Sequence, residues 1–544
     1  MSILNIIKRL FGKEESTPAQ PSRQEPSTPQ QAEPTHVSKA VEETKETVKA
    51  AVTDTVDAVQ TAKDEVVDKI VETAETAKEA IVEKAENLAE GLVSDSADTA
   101  TEKMAEASVA VSTAESGSTA KTNNEDYSMH HIIIGGGPAG VVAAENIRKL
   151  DSNAKITLIG DEPEPPYSRM AIPYFLEENI TEEGSYLRKT DNHYDNKGIN
   201  LVKDRVSSIS PDDKTVTLES DGSTLNWDKL LIATGSHPIS PPIPGLDNPK
   251  VSTCWTLEDS RKIVEGVKPG SVVVQIGAGF IGCIILESLV KRGAELTVVE
   301  MGDRMVPRML DQQCGTMLKT WCENKGVTVL TSSQVNSIED KGERLLVSVS
   351  NGDPIVADFV ISATGVRSNT AFLEGTGIEV DEGILVNRHL ETNIPDIFAA
   401  GDVAQGLDFS TGEYTVQAIQ PTASDHGLIS SKNMVNPGSA LHQGAVLMNV
   451  LATLGLISVS YGLWEGIEGG ESSELVDTEN FRYIRLQFDG DIIIGANTLG
   501  ITQNIGAIRG LIQSKTSLGV WKERLMENPL HFMDAYVGVT GGHS

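Results

Sequence analysis

The sequence predicts an α/β protein, with two Rossmann-like, doubly wound domains and a C-terminal α+β domain behind a helical and flexible N-terminal extension. Three observations carry this. The apolar run His130-His131-Ile132-Ile133-Ile134 leads into Gly135-Gly136-Gly137-Pro138-Ala139-Gly140. Val272-Val273-Val274-Gln275-Ile276 leads in the same way into Gly277-Ala278-Gly279-Phe280-Ile281-Gly282. Upstream of both, Val48, Val59, Ile70, Ile81 and Leu92 recur every eleven residues.

At the N-terminus, Ile3, Leu4, Ile6, Ile7, Leu10 and Phe11 fall at helical spacing opposite Lys8, Arg9 and Lys13. Residues 1–13 are therefore expected to form an amphipathic helix that docks on a membrane surface or a partner. Residues 14–36, rich in Pro, Gln, Ser and Thr, read as a flexible linker. Residues 37–93 carry the eleven-residue repeat. Eleven residues over three turns lie just above the natural helical period, so the apolar seam stays almost straight along a helix of roughly 85 Å. A coiled coil and a solvated single helix are both open to so weak a seam, and the segment looks similar to late-embryogenesis-abundant helices. Residues 94–128 read as a second tether.

From residue 129 the texture becomes alternating strands and helices with short turns, the pattern of an α/β body. In each fingerprint the first glycine permits the tight turn, the second lets backbone approach a pyrophosphate, and the third lets helix pack on strand. A helix length and a second apolar strand later, each is followed by an acid able to accept ribose hydroxyls: Asp161 after Ile156-Thr157-Leu158-Ile159-Gly160, and Glu300 after Leu296-Thr297-Val298-Val299. Two dinucleotides on one chain are expected. The run Ala445 to Val459 is too short to span a bilayer and is expected to be a core helix plus a strand. Strands are expected at Tyr483–Phe488 and Ile492–Ala496.

The net charge of −33 disfavours nucleic acid as a partner. Four cysteines without a CxxC pair give no metal-ligand spacing and suit a reducing cytoplasm, and residues 1–13 do not read as a secretory signal.

Further segments, namely Pro166-Tyr167-Ser168-Arg169, Leu230-Leu231-Ile232-Ala233-Thr234-Gly235, Val360-Ile361-Ser362-Ala363-Thr364-Gly365 and Ile397-Phe398-Ala399-Ala400-Gly401-Asp402, complete a pattern. In order and spacing it resembles the two-dinucleotide flavoproteins of the pyridine-nucleotide oxidoreductase family, closest to the rubredoxin reductase and nitrite reductase flavin branch. The resemblance implies an FAD-binding domain at 129–252 and 376–440, an NAD-binding domain at 253–375 and an interface domain at 441–544. It implies FAD on Gly135, Gly137, Pro138, Ala139, Gly140, Asp161, Arg169, Thr234, Gly235, Gly401 and Asp402. It implies NADH on Gly277, Gly279, Phe280, Ile281, Gly282, Glu300 and Gly365. Because the Glu300 carboxylate would repel a 2′-phosphate, NADH is preferred to NADPH, a preference Arg304 and Arg308 could soften.

Single-cysteine members of the family resemble Cys-Gly-Leu-Pro-Tyr where this chain reads Met170-Ala171-Ile172-Pro173-Tyr174. A thioether neither ionises nor forms a mixed disulfide, so thiol relay is excluded at this position. The implied activity is an NADH-dependent FAD reductase passing electrons to a separate carrier protein, rubredoxin- or ferredoxin-like. Two alternatives stand beside it: a peripheral NADH:quinone reductase at the inner membrane, and a redox-sensing scaffold that recruits partners through its N-terminal helix; a homo-oligomer is open as a separate expectation. No side chain is nominated as catalytic, since hydride transfer between cofactors needs orientation rather than an acid or base.

Overall fold

The computed structural model describes residues 128–541, so the expectations for the amphipathic helix, the linkers and the eleven-residue repeat lie outside the described residues. The first body opens with β1 (His130–Ile134), α1 (Pro138–Leu150), β2 (Lys155–Gly160), the short α2 (Ile172–Leu176), β3 (Ile199–Lys203) and β4 (Lys229–Ile232). The chain crosses to the second body through β5 (Ser236–Pro238). There it forms β6 (Val251–Ser252), α3 (Leu257–Gly266), β7 (Val272–Ile276), α4 (Phe280–Lys291), β8 (Glu295–Val299), α5 (Gln312–Asn324), β9 (Thr328–Leu330) and β10 (Phe359–Ser362). It returns through β11 (Val366–Ser368) to complete the first body with β12 (Ile397–Ala399) and α6 (Gln420–Val435).

The first sheet runs β12-β4-β1-β2-β3 and the second β9-β8-β7-β10-β6, all neighbours parallel. Parallel strands covered on both faces are apolar on both, as Ile132-Ile133 and Leu230-Leu231-Ile232, all fully buried, show. The two bodies repeat one plan. Gly135 N–H donates to Ile159 O at 2.7 Å and Gly277 N–H to Val299 O at 2.8 Å. Ala233 N–H donates to Ile134 O and Ala363 N–H to Ile276 O in the same way. Each Ala-Thr-Gly thus ends the strand beside a glycine turn and starts a crossing to the other body.

The third body is an antiparallel sheet of β13 (Met448–Thr453), β14 (Leu456–Gly462), β15 (Glu471–Asp477), β16 (Arg482–Asp489) and β17 (Ile492–Leu499), in the order β13-β14-β17-β16-β15. Helices α7 (Gly506–Ser514), α8 (Val520–Glu527) and α9 (Phe532–Thr540) close over it. The expected helix in Ala445 to Val459 is a β-hairpin instead. Leu454 and Gly455 take φ of 49° and 82°, the left-handed pair of a two-residue hairpin turn, and the β-branched residues on either side suit strands. The body is fastened to the second one: Asn497 Nδ2 donates to Met309 O at 2.9 Å, and Trp321 Nε1 to Leu454 O at 3.2 Å. Among the described residues, no helix is long and apolar enough to cross a membrane.

Candidate functional site

The glycine turns show directly why glycine stands there. Gly135 has a φ of 118°, and a Cβ on it would lie 2.1 Å from Ala233 O; one on Gly140 would lie 2.0 Å from Gly135 O. Gly137 and Gly279 differ. A Cβ on either would meet nothing within 4 Å, so these positions face open space at the N-termini of α1 and α4. Neither helix start is covered by a side-chain cap, which leaves first-turn N–H groups available to an anion.

A cavity of about 490 Å³ opens over the first turn. Of the residues expected on FAD, Gly135, Gly137, Pro138, Ala139, Asp161, Arg169, Thr234, Gly235, Gly401 and Asp402 line it, while Gly140 packs beneath. Phe280 and Ile281, at the start of α4, reach the same cavity from the second body. Gly277, Gly279, Gly282, Glu300 and Gly365 do not line it and lie on and beside the second glycine turn. There Glu300 accepts the N–H of Ala278 at 2.6 Å and that of Gly302 at 2.7 Å.

Asp402 sits at the floor, in a helical turn after β12. Burial pushes its carboxyl above the ordinary range, while a hydrogen bond from Ser236 Oγ (2.9 Å) and the Arg169 charge pull it back. The Arg169 guanidinium donates to Glu162 at 2.7 Å and to Trp255 O at 2.6 Å, and it stacks 5.0 Å from the Trp255 ring. Thr234 Oγ1 donates to Asn369 O across the two crossing strands, and Thr364 Oγ1 to Ile239 O.

The acids differ between the two bodies. In the shared register Glu300 corresponds to Gly160, so Asp161 falls one residue late; its carboxylate is half exposed and paired with Arg205 at 2.7 Å. Glu162, which the sequence reading passed over, accepts from both Tyr167 and Arg169 on the cavity wall. Strand alignment does not mark it, since it falls two residues beyond the position that matches Glu300. Gln420 and Pro421 also line the cavity, at the uncapped start of α6, and Gln420 accepts from Ser168 at 2.8 Å. Nothing local marked them.

Met170 is half exposed on the cavity wall, beside Pro173. All four cysteines are buried and free, and burial raises each thiol above its ordinary range. Only Cys254 lines the cavity. Arg304 is committed to its own loop, donating to Leu310 O and Pro307 O, whereas Arg308 is exposed.

Residues 129–427 match the family model described as "Pyridine nucleotide-disulphide oxidoreductase". The chain is 31% identical over 405 residues to the NADH-dependent phenylglyoxylate dehydrogenase subunit epsilon of Aromatoleum evansii, covering 74% of this chain and 95% of that one. It is 28% identical to the NADH-rubredoxin oxidoreductase of Clostridium acetobutylicum, covering 68% and 92%. Among solved structures, an NAD-dependent persulfide reductase from A. fulgidus matches with a TM-score of 0.67 and 27% identity, over 72% of this chain and 78% of that one.

Proposed function

The chain belongs to the pyridine nucleotide-disulphide oxidoreductase family and is an FAD-dependent NAD(P)H oxidoreductase, and from that premise we propose that it draws electrons from NADH and passes them through FAD to a small, separate redox protein. One observation carries the reading: the cavity that holds the first glycine turn and Asp402 also takes in Phe280 and Ile281 from the second body. A group held on the first body would therefore meet one held on the second inside a single enclosure.

The residues fit FAD. The open space at Gly137 and the uncapped start of α1 receive a pyrophosphate, and the buried Asp402 carboxylate accepts hydroxyls of the ribityl chain. Asp161, paired with Arg205, and Glu162, paired with Tyr167 and Arg169, both line the cavity as candidate ribose acceptors. The uncapped start of α6 favours negative charge at its end of the cavity. On the second body, Gly279 and α4 receive the second pyrophosphate, and Glu300 takes the adenosine ribose. The Glu300 carboxylate repels a 2′-phosphate and Arg304 is engaged with two loop carbonyls, so NADH is preferred. FAD, when bound, supplies the two-electron chemistry. The chain orients the two cofactors and excludes water, with Phe280 and Ile281 as an apolar wall.

Among the described residues the cavity carries no exposed thiol, so this chain offers no thiol relay between a bound flavin and its acceptor. The Clostridium relative, whose name gives rubredoxin as its partner, supports an iron–sulfur carrier. Anaerobic mixing of the holoenzyme with NADH tests the reading. Bleaching of the flavin followed by its recovery on adding oxidised rubredoxin or ferredoxin supports it; a flavin that NADH leaves oxidised overturns it.

A further inference from the structure

The two strands that carry the chain between the bodies pair with each other as an antiparallel ribbon, Val366 opposite Pro238, Arg367 opposite His237 and Ser368 opposite Ser236. One end of this ribbon meets Asp402. Ser236 Oγ donates to the carboxylate oxygen Oδ2 at 2.9 Å, and Ser368 Oγ donates to the main-chain oxygen of the same residue at 2.9 Å. Both serines are buried. Ser236 is itself held from behind: its carbonyl accepts Trp255 Nε1 at 3.1 Å, and the Trp255 carbonyl accepts Arg169. Asn369, just past β11, ties the ribbon to the first Ala-Thr-Gly through Gly235 O and Thr234 O.

We infer that Ser236 is a positioning residue: it fixes the Asp402 carboxylate on its cavity-facing course, so the strand entering the second body also sets the grip on the flavin side chain. This rests on the assignment of FAD to the first body. The physical argument is one of supply and demand for hydrogen bonds. A buried carboxylate without donors is costly, and among the described residues the side chain that donates to it is that of Ser236. Ser368, by contrast, reaches only backbone, so the two serines separate control of the carboxylate from control of the chain.

The charged and titratable groups around Asp402 are few. Arg169 faces it across the cavity. On α6, His426 Nδ1 accepts the N–H of Gly401 at 3.4 Å, with the His442 ring 4.6 Å behind it. Burial lowers both histidines, His426 to about 3, so burial favours the neutral ring in each.

The test is the rate of FAD release from the holoenzyme, followed by flavin fluorescence between pH 4.5 and 8 in the native protein and three variants, each first checked for a native melting profile. Ser236→Ala should release FAD about tenfold faster at neutral pH, the loss of a hydrogen bond to a charged group, and should move the acid-side acceleration to higher pH. Ser236→Thr, which keeps the hydroxyl, should restore both. Ser368→Ala should speed release without moving the pH profile. If Ser236→Ala releases FAD within about twofold of native and with the same profile, the role of Ser236 is wrong although the flavin assignment stands. A chain that takes up no FAD overturns both.

Discussion

The Glu300 carboxylate accepts the main-chain N–H of Ala278 at 2.6 Å, while the carbonyl of Ala278 accepts the N–H of Val306 at 2.8 Å. The peptide between the first two glycines of the second fingerprint is thus held from both sides, by the acid after β8 and by the loop that follows it. Glu300 shapes the turn, and on the proposed assignment its carboxylate also serves the ribose of the nucleotide.

Replacing Glu300 with Ala removes both. We expect kcat/KM for NADH to fall tenfold or more, in line with losing hydrogen bonds to a charged group, while the value for NADPH falls less because the repulsion of a 2′-phosphate is gone. Initial rates with the two nucleotides check this. An unchanged NADH to NADPH ratio would show that discrimination resides elsewhere.

Helix crossing on the first body gives a stability prediction. A Cβ on Gly427 of α6 would lie 2.3 Å from the carbonyl oxygen of Ala139 on α1, a backbone atom that cannot rotate aside. Gly427→Ala should therefore cost about 1–3 kcal/mol despite the better helix propensity of alanine. Gly506→Ala, at the open start of α7 where nothing lies within 4 Å, should be neutral or slightly stabilising. Urea denaturation of the pair measures both.

These glycines also show what was legible in advance. Gly135 and Gly140 announce themselves because a local backbone shape excludes every other residue, and the parallel sheets follow from runs buried on both faces. Asp161 was a less secure reading, because one residue of slack after β2 is invisible until the strands are in register. Ser236, Trp255 and Gln420 could not be found at all: Ser236 meets Asp402 across 166 positions, and only the folded crossing strands bring them together. The hairpin at Leu454 and Gly455 was missed since an apolar run has no period of its own to distinguish strand from helix.

Acid should weaken the fold through histidines buried without charge. Burial lowers His131 to about 4, and neither ring nitrogen has a hydrogen-bond partner among the described residues. Between that value and the ordinary 6.5 the unfolded chain binds a proton that the folded chain does not, so stability rises with pH across this window. His131 alone should contribute about 1–2 kcal/mol of loss between pH 7 and pH 5. His130, His426 and His442 are lowered as well and act in the same direction. His131→Leu should flatten part of the slope in urea titrations at the two pH values, and an unaltered slope would place the acid sensitivity in other groups.

The thiols provide the sharpest contrast with disulfide chemistry. Cys254, Cys283, Cys314 and Cys322 are all buried, and burial holds each one protonated at neutral pH. A thiol must ionise and be reached before it attacks a disulfide reagent, so the native holoenzyme should titrate close to no cysteines, and all four should appear on unfolding in denaturant. Alkylating the native protein should accordingly leave the rate of flavin reduction by NADH unchanged. Met170, half exposed on the cavity wall, is untouched by a thiol reagent and keeps this position outside the assay. Prompt reaction of one thiol in the folded protein, with loss of NADH oxidation, would single out Cys254, whose side chain borders the cavity, and would return a cysteine to the path of electrons.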